Sequence, residues 1–226
     1  MRVKIVEQKL VAEGTSEVAF DLKAQPFTFK AGQYVNVCLF SLTSPDPRGQ
    51  CREFSIQSSP NEAGIVRVAF RHSESGFKKT MLSLPIGTEL ELDGPFGLFT
   101  ISKKRTDPVV LIAGGIGVTP FMSMIRSAAE QKSSLKIILI SSNATVERTP
   151  FRDALQELEK QNPNFSFKEN IGHLTSEFIK EAVKDVSNPL YYLAGPPKMV
   201  LDIAQSLKNN GVDEEDILAE EFVGYE

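Results

Sequence analysis

The sequence is short of the residues that metal and cluster chemistry need. Its two cysteines, Cys38 and Cys51, cannot supply the four ligands of a typical iron–sulfur cluster. Its two histidines, His72 and His173, lie far apart, and neither has cysteine or carboxylate neighbours at zinc-ligand spacing, so no metal site is expected. Basic charge is not in excess. Twenty-five Lys and Arg against 29 Asp and Glu give a formal net charge of −4, without the basic footprint of a nucleic-acid binder. Long apolar runs are missing too. The longest, Val109 to Val118, is broken by three glycines and falls short of the roughly 18 residues a membrane span requires. The start, MRVKIVEQKL, alternates apolar and polar residues and has no signal-peptide core. These absences predict a cytoplasmic protein with no membrane span and no nucleic-acid partner.

What is present is an ordinary globular composition, 41% hydrophobic and 24% charged over 226 residues. That length suits one large domain or two compact ones. Two hydrophobic periods divide it. In the first half Val66, Val68 and Phe70 alternate with Arg67 and Ala69, and Leu90 and Leu92 alternate with Glu89 and Glu91, the period of two of half-buried strands. Ala31-Gly32, the 44–49 loop, Pro60-Asn61, Pro85-Ile86-Gly87 and Asp93-Gly94-Pro95 punctuate them as turns. Many short strands so separated predict a barrel or sandwich. After residues 103–108 the pattern becomes an alternation of strands, at 109–113, 137–140, 165–167, 190–193 and 217–222, with helices near 120–131, 150–161, 175–186 and 197–209. Thr149-Pro150 reads as a cap and first turn, and Asn210-Gly211 as a helix stop. Such alternation implies a mostly parallel sheet covered on both faces. The expected domains are 1–103 and 104–226.

The strand at Val109–Ala113 runs directly into Gly114-Gly115-Ile116-Gly117, with Pro120 just inside the next helix. Glycines let the backbone approach a phosphate, and a helix start offers unpaired N–H groups. A turn tightened only for packing is the bland alternative. The usual G-x-G-x-x-G fingerprint fails here, because Pro120 stands at its last glycine, and the next strand ends Ser141-Ser142-Asn143 without an acidic ribose ligand. A second corner, Ala194-Gly195-Pro196-Pro197, also follows a strand and precedes a helix. Ligands of open parallel sheets bind beyond the carboxyl ends of strands, so both corners can face one crevice.

In Arg52-Glu53-Phe54-Ser55, strand alternation puts Arg52 and Phe54 on one face and Glu53 and Ser55 on the other. A cation beside an aromatic ring suits a ligand with a phosphate and a flat ring. A surface arginine next to a core phenylalanine would look the same. The ordered set is more specific than any member. Ala31-Gly32-Gln33-Tyr34-Val35, Arg52-Glu53-Phe54-Ser55, Gly94-Pro95-Phe96-Gly97, the glycine loop, Ala194-Gly195-Pro196-Pro197 and Glu220-Glu221-Phe222 together resemble the ferredoxin–NAD(P)+ reductase superfamily over essentially the whole chain. Within it the chain looks most like the short reductases without a fused ferredoxin domain.

That resemblance implies a six-stranded antiparallel Greek-key barrel that binds FAD, rather than FMN, followed by a five-stranded parallel, doubly wound domain for NADH or NADPH. It places Arg52 at the flavin phosphates, Phe54 on the isoalloxazine and Ser55 near flavin N5, with Glu53 in the same motif. Val68, Phe70 and Arg71 would line the ribityl and pyrophosphate. Gly76, Lys79 and Thr80 would stand in the family's G-x-x-S turn, with Lys79 at the Ser position. Gly115, Gly117, Val118, Thr119, Gly195 and Pro196 would hold the dinucleotide, and Phe222, or Tyr225, would cover the flavin ring. Ala194 replaces a common cysteine, and Asn143-Ala144-Thr145 stands where related chains often carry arginine. The implied activity is hydride transfer between NAD(P)H and flavin, with ferredoxin or flavodoxin as carrier. A free-flavin or quinone reductase, or an electron-transfer subunit of a larger complex, are the alternatives.

Three features are read as structural. Cys38 belongs to the apolar strand Val35–Phe40 and is expected in the core. Cys51 is either a perturbed thiol beside Arg52 or a bystander. Asp213-Glu214-Glu215-Asp216 reads as a solvated turn.

Overall fold

A computed structural model of the chain describes residues 1–101, 108–184 and 186–222. The first half forms strands β1 (Arg2–Ala12), β2 (Thr15–Asp21), β3 (Tyr34–Cys38), β4 (Cys51–Ser55), β5 (Ile65–Arg71) and β6 (Glu89–Phe96). They make one antiparallel sheet in the order β4-β3-β6-β1-β2-β5, which leaves β4 and β5 as its two edges. The period-two pattern has the expected consequence: Val3, Ile5, Val18, Phe20, Val35, Val37, Val66, Val68, Leu90 and Leu92 share one buried core. Between β5 and β6 lies a helix the strand pattern does not announce, α1 (Gly76–Ser83). Ser75 caps it by accepting from the Lys78 N–H, and Phe77 and Met81 enter the same core.

The second half forms β7 (Val109–Gly114), α2 (Val118–Glu130), β8 (Ile137–Asn143), α3 (Arg152–Gln161), β9 (Phe165–Ile171), α4 (Ser176–Val183), β10 (Leu190–Gly195), α5 (Pro197–Asn209) and β11 (Ile217–Glu221). Every strand pairing here is parallel, in the order β11-β10-β7-β8-β9. α2 and α3 cover one face and α4 and α5 the other. The order reverses between β7 and β10, the switch point at which such sheets bind ligands. The expected boundary at 103/104 falls outside the described residues.

The halves are pinned by groups that sequence periodicity does not reveal. The Ser123 hydroxyl donates to the Ser58 carbonyl at 2.6 Å, and Arg126 donates to Gln57 Oε1 at 2.6 Å. Glu130 accepts from Ser59 and Asn61. Gln57 in turn donates to the buried Glu17, which also pairs with Arg67 and Lys9. Two backbone bonds, Glu13 N–H to Glu147 O and Phe151 N–H to Val11 O, close the other side.

Two local expectations are corrected. Thr149-Pro150 does not cap α3; the helix starts at Arg152 behind Phe151, which takes φ 60°. The reason is tertiary, since the Phe151 ring is buried and its N–H is spent on β1. Nor do the cysteines stand apart. Cys38 and Cys51 are directly opposite in the β3–β4 ladder and form a disulfide. At the other end of α5, Gly211 follows the helix with φ 87°, the conformation that made Asn210-Gly211 a stop signal.

Candidate functional site: a cationic seam beside a glycine crevice

The first cluster lies at the seam between the edge strands β4 and β5, closed at one end by α1. Arg52 and Phe54 point inward from β4 and are buried, while Glu53 faces solvent. The Phe54 ring packs tilted against Phe70 of β5 at 5.7 Å and Phe77 of α1 at 5.9 Å. Arg52 lies over the Phe77 ring at 5.2 Å, and its guanidinium also pairs with Asp46 of the β3–β4 loop. Lys78 is 8% exposed. Burial, and then the Arg48, Arg52 and Arg71 charges around it, push its ammonium down to about 8. Two buried cations, Arg52 and Lys78, thus meet at a helix start, with the partly buried Arg71 and the exposed Arg48 around them. Such a cluster is costly unless an anion shares it; Asp46 supplies one, and the donor set also suits a diphosphate.

Residue by residue, the motif is dispersed more than the sequence suggests. Ser55 ends β4 opposite Tyr34. Val68 is core, whereas Arg71 ends β5 only partly buried. Gly76 opens α1 against the β3–β4 loop: a Cβ there would lie 2.4 Å from the Ser44 carbonyl oxygen. Thr80 donates to the Gly76 carbonyl at 2.7 Å and receives the Thr43 N–H at 2.9 Å, so it fastens loop to helix. Lys79 turns outward and pairs with Glu74 at 2.5 Å. Of the two adjacent lysines, the one left out of the sequence-based set is the buried one.

The second cluster is the crevice at the β7–β10 switch point. Gly114 ends β7, Gly115 takes φ 55°, and a 3-10 turn over Gly115–Gly117 leads into α2. A Cβ on Gly117 would lie 2.2 Å from the Ala194 carbonyl oxygen, and one on Gly195 3.0 Å from the Gly114 backbone. The two glycine corners are therefore in backbone contact, a closeness no larger residue permits. Val118 and Thr119 are buried, and the Thr119 hydroxyl donates to the Ile116 carbonyl at 2.5 Å. No side chain caps α2 or α5, and Pro196 and Pro197 pre-set the start of the latter. The two helix starts offer N–H groups to the crevice. Past Pro196 it opens into a cavity of about 640 Å³ lined by His173, Thr175, Lys198, Met199 and Asp202.

Arg71 joins the clusters. It ends β5, and its guanidinium lies 3.5 Å from where a Gly115 Cβ would be. β11 supplies the far wall. Phe222 follows it, partly buried, with its N–H on the Gly195 carbonyl at 2.9 Å. Tyr225 lies outside the described residues. Glu220, in register with Ala194, is half-buried, and its Oε2 has no hydrogen-bond partner among the described residues. Burial, and then repulsion from Glu53, raise its carboxyl to about 7. Only the C-terminal motif hinted at Glu220, since its burial depends on β11 pairing with β10.

A sheet seam with a cationic cluster, joined to a switch-point glycine crevice, is an arrangement suited to two phosphate-bearing cofactors. Residues 2–101 match the oxidoreductase FAD-binding domain family and residues 111–205 the oxidoreductase NAD-binding domain family. The chain belongs to the FAD- and NAD-binding oxidoreductases of ferredoxin–NADP+ reductase-like fold. It is 32% identical over 214 residues to the phenol hydroxylase P5 protein of Acinetobacter pittii (strain PHEA-2), covering 88% of this chain and 59% of that protein. It is 27% identical over 213 residues to the phenol 2-monooxygenase reductase component DmpP of Pseudomonas sp. (strain CF600), with the same coverage. The ferredoxin-NADP+ reductase of Plasmodium falciparum superposes with a TM-score of 0.79 at 16% identity, over 98% of this chain and 95% of that one. The chain thus spans about three fifths of the curated relatives it matches.

Proposed function

We propose that this chain carries a hydride between NADH or NADPH in the β7–β10 crevice and FAD at the β4–β5 seam, and exchanges electrons with a partner protein. The observation that supports this reading most is Arg71, which stands between the cationic seam and the glycine corner. FAD, when bound, takes the hydride at its N5 and can pass electrons on singly.

The chain's own residues bind, orient and exclude water. Arg52, Arg71, Lys78 and the α1 start hold the diphosphate. Phe54, 8% exposed, offers the ring system an edge while Phe70, 2% exposed, backs it from the core, and Ser55 offers a hydroxyl to the ring's polar edge. Gly115, Gly117, Val118 and Thr119 let the dinucleotide backbone settle at the α2 start, while Gly195 and Pro196 form the opposing lip. Phe222 covers the site until the nicotinamide displaces it. Near-attack geometry demands about 3–3.5 Å between the reacting atoms, and corners built from backbone leave room for such an approach. Glu220 is the carboxyl best placed to keep a proton beside the site near neutral pH.

A protein partner is supported by the kinship to an oxygenase reductase component. Ferredoxin or flavodoxin is the carrier class we favour. We place the protein in the cytoplasm; among the described residues no helix is long and apolar enough to cross a membrane. The test is anaerobic stopped-flow absorbance of the FAD-loaded protein mixed with NADH and, separately, NADPH. Rapid bleaching by one of them is expected. Flavin that neither nucleotide bleaches would refute the hydride role and leave an electron-transfer subunit as the better reading.

A further inference from the structure

We propose that Asp46 is a built-in competitor for the flavin diphosphate, and that the Cys38–Cys51 pair sets how strongly it competes. The proposal rests on placing that diphosphate at the Arg52–Lys78 cluster. Asp46 is buried, and its carboxylate takes the donors a diphosphate needs. Oδ1 accepts from Arg52 and from the Arg48 N–H at 2.9 Å. Oδ2 accepts from the Ser75 hydroxyl at 2.5 Å and from the Phe77 N–H, in the first turn of α1, at 3.0 Å. With the Phe77 N–H and Ser75 hydroxyl as the largest causes, its carboxyl is held far below the usual carboxylate range. It is therefore an anion at any physiological pH. One guanidinium and one helix start cannot serve two anions in the same position.

The loop that carries Asp46 is the one the disulfide closes. Arg52 Nη1 donates to the carbonyls of Arg48 and Gly49 at 3.0 Å each and of Cys51 at 2.7 Å. Each hydrogen-bond partner described for the Arg52 guanidinium thus lies from Asp46 to Cys51, in the segment the bridge closes. The bridge shortens the free loop and lowers the entropy lost in holding Asp46 in place. A dithiol reductant breaks the S–S bond, leaves two cysteine thiols and becomes a disulfide itself, a transfer of two electrons and two protons. The loosened loop then yields the cluster to FAD more readily. In the cytoplasm such bridges are typically transient or redox-sensing, so FAD affinity becomes responsive to thiol state.

The test is equilibrium titration of apoprotein with FAD, and with riboflavin, followed by flavin fluorescence. Asp46→Asn is expected to bind FAD about tenfold tighter, with riboflavin, which lacks phosphate, unchanged. Wild type treated with dithiothreitol, and the Cys38→Ser/Cys51→Ser variant, should each tighten FAD by about threefold. Asp46→Asn should abolish the dithiothreitol effect. Weaker FAD binding in Asp46→Asn, or wild-type affinity indifferent to dithiothreitol, overturns the proposal. Should Asp46→Asn fail to fold, the thiol arms decide alone. Lys78→Ala controls the placement: if it leaves FAD affinity intact, the diphosphate lies elsewhere and the underlying reading is what has failed.

Discussion

In the proposed reading the seam and the crevice solve the same problem, holding a dinucleotide, with opposite materials. At the β4–β5 seam the chain uses charge: burial, and then the nearby Arg48, Arg52 and Arg71, lower the basicity of Lys78. At the β7–β10 crevice it spends absence, with Gly114, Gly117 and Gly195 so close that added Cβ atoms would collide with neighbouring atoms. Buried charge needs an anion; Asp46 supplies one, and a diphosphate that took over its donors would be held firmly, which suits a cofactor that stays. Bare backbone and helix starts bind more weakly and release readily, which suits a co-substrate that comes and goes.

The comparison breaks most sharply at Gly117. Its Cβ would meet the Ala194 carbonyl at 2.2 Å, so Gly117→Ala should displace the corner and slow flavin bleaching by about a hundredfold. FAD content, measured by absorbance, should stay normal; loss of flavin would show that the two regions are not separable. A smaller effect is expected from pH at the seam. Lys78 sits near 8 because burial and three arginines disfavour its charge, and a bound diphosphate would restore that charge. FAD affinity should then be full below about pH 8 and fall as pH rises past it. Titrations at several pH values check this, and Lys78→Ala should flatten the curve.

The smallest effect is at Glu220. Its carboxyl rises from an ordinary 4.5 to about 7, so the folded state binds the proton more tightly than the unfolded chain. Glu220 therefore supports stability at low pH and loses that support as pH rises between about 4.5 and 7. Glu220→Gln should remove this fall in Tm, measured by calorimetry across the window. An unchanged pH profile would show that the group is not titrating there.

The crevice was far more legible in the sequence than the seam, and the reason is physical. A glycine corner after an apolar strand is a local necessity of backbone geometry, so Gly115, Gly117 and Gly195 announce themselves. The change of period near residue 103 likewise follows from one-faced against two-faced burial. The seam is assembled from groups distant in the chain. Which of Lys78 and Lys79 turns inward depends on α1, an eight-residue helix with neither the length nor the apolar repeat to be read in advance. Asp46 lies in a loop that reads only as a turn. Cys38 and Cys51 become partners because the β3–β4 register sets them opposite, and register is a property of the folded sheet. Phe151 takes a left-handed conformation for a contact with β1 that no local rule contains.

The two adjacent lysines provide the most direct measurement of the central claim, that FAD is held by the buried cationic seam. FAD dissociation constants should be measured for wild type, Lys78→Ala and Lys79→Ala at neutral pH. The account predicts weakening by about tenfold or more for Lys78→Ala and no more than a small change for Lys79→Ala. Equal effects, or a larger loss from the exposed Lys79, would contradict it.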